Sequence, residues 1–133
     1  MYNFYNENPL GKYEDDCVIR SLSCATNKSW DEVYNELSDI AQINGTMMDD
    51  RDFVRRYLDV NFARVPYLPY KVKDVAKEYK NNIILCTMNG HICCIKYGVI
   101  YDTFDPSERI AEDAWLVLWK WFTFNNDYDI IIM

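Results

Sequence analysis

The sequence predicts an α+β protein, with N-terminal helices packed on a C-terminal antiparallel β-sheet. Two observations carry this expectation. Apolar residues recur at helical spacing over most of the first 80 residues, and from Ile83 the period changes to short apolar runs rich in β-branched residues. The runs are separated by Asn89-Gly90 and Tyr97-Gly98, pairs that favour tight hairpins. Helices followed by hairpin-linked strands indicate segregated α+β architecture rather than alternating β/α units.

Residues 1–16 are polar and irregular, and Pro9 and Gly11 discourage a helix. From Cys17, Val18, Leu22 and Ala25 fall at helical spacing, with Ile19 alongside, until a break at Thr26-Asn27-Lys28. Ser29-Trp30-Asp31-Glu32 fits a capping box that starts a second helix, with Val33, Leu37 and Ile40 on one face and an end before Asn44-Gly45. Asp49 or Asp50 can cap a third helix over residues 51–60, whose apolar side is Phe53, Tyr57 and Val60. Pro66 and Pro69 make residues 65–69 loop or edge strand, and a short helix follows over 72–79. Strands are expected at 83–87, 91–96 and 99–103, with Asp105-Pro106-Ser107 as a turn. Residues 112–122 fit either a helix or a strand, and 128–133 read as a last strand.

At 133 residues one domain, 1–133, is expected, large enough to bury a core. Half the residues are hydrophobic, with 11 Tyr, 6 Phe and 4 Trp, which argues against disorder. A net charge of −7 without a basic run offers no counterion-release mechanism for nucleic acid, so no nucleic-acid partner is expected. No apolar run reaches membrane-spanning length and the N-terminus lacks a signal-peptide pattern, so no membrane association is expected. Five cysteines, an odd number without framework spacing, read as reduced thiols of a cytoplasmic protein.

The chemistry concentrates on three residues. A thiol attacks as the thiolate, which is favoured by a helix N-terminus and by a neighbouring imidazolium. Cys17 stands at a helix start, and His91 is the only histidine of the chain. An imidazole needs an acceptor on its second nitrogen. Asp102 lies one hairpin away on the strand paired with that of His91, within cross-strand reach, and Asp105 in the following turn is the reserve candidate. Cys17, His91 and Asp102 are thus the expected catalytic residues. No Cys-x-x-Cys pair and no second histidine support a metal site, and no glycine-rich phosphate loop is present, so neither metal nor cofactor is expected.

Asp16-Cys17-Val18-Ile19-Arg20-Ser21-Leu22, then Ser29-Trp30-Asp31-Glu32-Val33-Tyr34, together with Gly90-His91 and Ile100-Tyr101-Asp102, resembles small papain-like cysteine peptidase domains. It is most similar to the bacteriocin-processing C39-like group and to short relatives in phages and other bacterial mobile elements. The resemblance implies a papain-like fold, Cys17 as nucleophile, His91 as general base and acid, Asp102 as orienter, and a protein or peptide substrate. One departure stands out: those families place a glutamine shortly before the cysteine, and here none precedes Cys17. Asn8 is the nearest side-chain amide and Tyr13 a hydroxyl alternative, while Asp15 and Asp16 oppose thiolate formation if they face the sulfur. The expected function is therefore a thiol hydrolase that cleaves an amide bond. The alternative is a catalytically weak or inactive scaffold of that fold acting as a protein-binding module, such as a phage-encoded inhibitor of a host defence system. Trp115, Trp119 and Trp121 fit either core packing or a substrate groove.

Overall fold

A computed structural model describes residues 1–11 and 16–118. In chain order the elements are β1 (Tyr2–Phe4), α1 (Cys17–Thr26), α2 (Trp30–Ile43), α3 (Arg51–Asn61), β2 (Ala63–Arg64), α4 (Val72–Glu78), β3 (Ile83–Met88), β4 (His91–Lys96), β5 (Val99–Asp102) and β6 (Asp113–Val117). The architecture is α+β. Its sheet is mixed rather than antiparallel, in the order β1-β5-β4-β3-β6-β2. The polar N-terminus, read as irregular, contributes β1, which lies parallel to β5 with Tyr2 opposite Ile100 and Phe4 opposite Asp102. Residues 113–117 are strand, antiparallel to β3. Trp119, Trp121 and the expected strand at 128–133 lie outside the described residues.

α2 and α3 start where a side-chain cap sets them. Ser29 accepts the N–H of Glu32 at 3.1 Å, and the Glu32 carboxylate accepts the N–H of Ser29 at 3.3 Å, closing the capping box. Asp50 rather than Asp49 caps α3, accepting from Phe53 N–H at 3.0 Å. Val60 is only half-buried, and the inner face of α3 is completed by Val54 and Leu58. The expected consequence for α2 is simple: Ser29→Ala lowers stability by about 1 kcal/mol, read as a lower urea midpoint at unchanged slope. An unshifted midpoint would mean that the box contributes nothing.

The sheet separates two apolar clusters. One gathers Leu22, Leu37, Phe53, Leu58 and Trp115 between the sheet and α1–α3. The other packs Val72 and Val75 of α4 against Ile84, Ile95 and Ile100. Trp115 is fully buried and its indole N–H donates to Asp59 at 2.9 Å, so it is a core residue. α1 runs along β4 with both N-termini at one end. Ser21 Oγ donates to the Ile92 carbonyl at 3.1 Å near that end, and Lys96 Nζ donates to the Cys24 carbonyl at 3.2 Å near the other. This alignment brings the first residue of α1 to the first residue of β4.

Candidate active site

Those two residues are Cys17 and His91. The tight turn at Asn89-Gly90, with Gly90 at φ 68°, starts β4 directly at His91. β5 pairs with β4 so that Cys94 faces Tyr101. Continuing that register sets Asp102 opposite Cys93, two residues from His91 along the same face, the diagonal position within reach of long side chains. His91 Nε2 lies 2.6 Å from Asp102 Oδ2. With Nε2 committed to the carboxylate, Nδ1 is the nitrogen left for the Cys17 thiol, which lines the same cleft and helps to raise the imidazole's pKa. The three residues singled out from sequence therefore stand in one row.

The charge state follows from the surroundings. Burial pulls the imidazole towards its neutral form, but hydrogen bonds to Asp102 and Cys17, and the charges of both, raise its pKa to about 9. At neutral pH the ring is thus a cation between two acidic groups. Asp102 is almost fully buried, and its Oδ1 accepts the N–H of Thr103 at 2.7 Å. Asp105, the reserve candidate, is exposed and its carboxylate is taken by the backbone and hydroxyl of Ser107. The Phe104 ring lies 4.7 Å from the imidazole and carries the Arg109 guanidinium 4.9 Å from its own centroid.

The Asp16 carboxylate has partners other than the thiol. It is paired with Arg20, at 2.5 Å, and accepts the indole N–H of Trp30 at 2.8 Å. Asp16 occupies the N-cap position of α1 yet makes no side-chain cap, so its carboxylate leaves the first-turn N–H groups around Cys17 unbonded. Uncapped N–H groups at a helix start favour an anion there. Asn8 is buried, with its amide nitrogen 3.5 Å from Asp16 and its oxygen accepting the N–H of Leu10. Tyr13 and Asp15 lie outside the described residues.

A cleft of about 410 Å³ opens beside the row, with Cys17 and His91 in its wall and Ile19, Met48, Val54 and Met88 as apolar lining. Its two arginines are already matched, Arg51 with Glu112 at 3.5 Å and Arg55 with Asp113 at 2.5 Å. The other thiols are set apart from this cleft. Cys24, Cys86, Cys93 and Cys94 are buried. Burial pushes Cys86 up to about 12 and holds Cys93 well above the ordinary thiol range. Cys24, hydrogen-bonded by Cys94, is lowered, but it is shielded from solvent. Among the described residues no group of three or more His, Cys, Asp and Glu side chains is placed to hold a metal, and no helix is long and apolar enough to cross a membrane. No protein-family model, no curated protein and no solved structure matches this chain.

Proposed function

We propose that this protein is a thiol hydrolase of papain-like type that cleaves an amide bond in a protein or peptide through an acyl-enzyme on Cys17. The observation that carries the reading is the row Cys17–His91–Asp102, with an imidazole raised to a pKa of about 9 between a helix-start thiol and a buried carboxylate. The Cys17 thiolate attacks the carbonyl carbon and forms a C–S bond. The Cys17 N–H, at the uncapped start of α1, donates to the resulting oxyanion. The His91 imidazolium gives its proton to the leaving amine as the C–N bond breaks. Neutral His91 then takes a proton from water as the water oxygen adds to the thioester carbonyl, and the C–S bond breaks, releasing the acid product and restoring the Cys17 thiolate and the His91 imidazolium. The apolar part of the cleft wall, Ile19, Met48, Val54 and Met88, suits an apolar side chain next to the scissile bond.

Two probes test the reading without knowledge of the natural substrate. Iodoacetamide at pH 7 is expected to modify Cys17 well before the four buried cysteines, as read by intact-mass and peptide mapping. A p-nitrophenyl ester is expected to release more than one equivalent of nitrophenol per chain, and none above background from Cys17→Ser. Slow and equal labelling of all five cysteines would sink the catalytic reading. Acylation that halts at one equivalent would favour a binding scaffold over a hydrolase.

A further inference from the structure

α1 buries one charged residue, Arg20, among Ile19, Leu22 and Ala25. Its guanidinium is about 6% exposed and reaches two carboxylates on different elements. NH1 lies 2.5 Å from Asp16 Oδ1 at the start of α1, and NH2 lies 3.5 Å from Asp102 Oδ1 at the end of β5. Asp16 is itself held by Trp30 Nε1 at 2.8 Å and by Asn8 Nδ2 at 3.5 Å. The guanidinium is therefore anchored by Asp16 on one side and faces Asp102 on the other.

A buried ion pair of this kind is a poor device for stability, because apolar residues of similar volume commonly serve as well. Its geometry has a different use. A carboxylate with one oxygen on His91 can rotate about its terminal bond unless the second oxygen is fixed. Arg20 and the Thr103 N–H converge on that second oxygen. We propose that Arg20 is a positioning residue, which holds the Asp102 carboxylate so that its other oxygen stays in line with His91 Nε2. A planar fork with one nitrogen on each of two carboxylates is what arginine supplies and lysine does not. The inference rests on the reading of Cys17, His91 and Asp102 as the reactive row.

His91 is the only histidine, so its Cε1 proton gives one assignable imidazole titration by NMR. Arg20→Lys keeps the charge and loses the fork. Asp16→Asn with Arg20→Met removes an anion and a cation together, leaving neither buried and unpaired. In both variants the through-space charge seen by His91 changes little, and loss of a cation alone would raise its titration midpoint. Loss of alignment does the opposite. The expected result is a midpoint lowered by about one pH unit or more from the wild-type value in whichever variant folds, with Cys17 alkylation at pH 7 slowed in parallel. A folded variant of either kind whose midpoint is unchanged or raised overturns the proposal and leaves Arg20 as a counter-charge for Asp16. The titration is separate from the hydrolase reading: a wild-type Cys17 that alkylates slowly sinks that reading, while the midpoint still reports the hold of Arg20 on Asp102.

Discussion

His91→Ala is expected to slow iodoacetamide alkylation of Cys17 at pH 7 by about tenfold or more. An ordinary thiol is only a few per cent ionised at neutral pH, whereas one paired with an imidazolium reacts as the thiolate. The ceiling is therefore about thirtyfold, and it is reduced because a more basic thiolate is also intrinsically more nucleophilic. Turnover of an activated ester should fall further, since deacylation loses its general base as well, a contribution of about 10²–10⁴. Asp102→Asn keeps the shape of the acceptor and removes its charge, so it should act in the same direction with a smaller effect on alkylation. Stopped-flow alkylation across pH 5–9 checks the argument. A variant that alkylates as fast as the wild type across that range would show that His91 does not govern the thiol.

The parts of this site that were legible in the sequence are those fixed by local rules. Ser29 and Glu32 announce a helix start through their three-residue spacing, and Asn89-Gly90 sets His91 at the start of its strand. Asp102 follows from the hairpin register, because the side-chain period of two places it on the face of His91. What escaped depends on partners distant in sequence. Tyr2-Asn3-Phe4 is too short to establish a strand period, and two of its three residues are exposed. It is a strand because the free edge of β5 offers backbone partners about 98 residues later, a signal absent from the segment itself. Asp16 was weighed by its sequence neighbour Cys17, although its carboxylate turns to Arg20 and Trp30. A usable signal did exist. Asp16 and Arg20 are four apart, the spacing of helix ion pairs, and Arg20 interrupts an otherwise apolar stretch.

Stability is expected to fall by about 2–3 kcal/mol between pH 6.5 and 8.5 through His91 alone. The unfolded imidazole titrates near 6.5 and the folded one near 9. A group raised on folding gives its full stabilisation below the unfolded value. That contribution declines above 6.5, where the unfolded chain binds fewer protons than the native one, and is gone once the pH passes about 9. The sign is diagnostic. A histidine that is merely buried, without an acidic partner, is lowered on folding, and its protein loses stability on acidification instead. Buried Cys86, Cys93 and Cys94 lose stability in the same direction as His91, but only above the ordinary thiol range near 8.5. Their share is separated by limiting the comparison to pH 8.5 and by subtracting the profile of Asp102→Asn. In that variant the imidazole loses its charged partner, and its urea midpoint should be nearly level over the same interval. A wild-type midpoint that stays level from pH 6.5 to 8.5, at constant slope, would contradict a shared proton between His91 and its two neighbours. A decline that survives in Asp102→Asn would assign the stabilisation to Cys17 rather than to the aspartate.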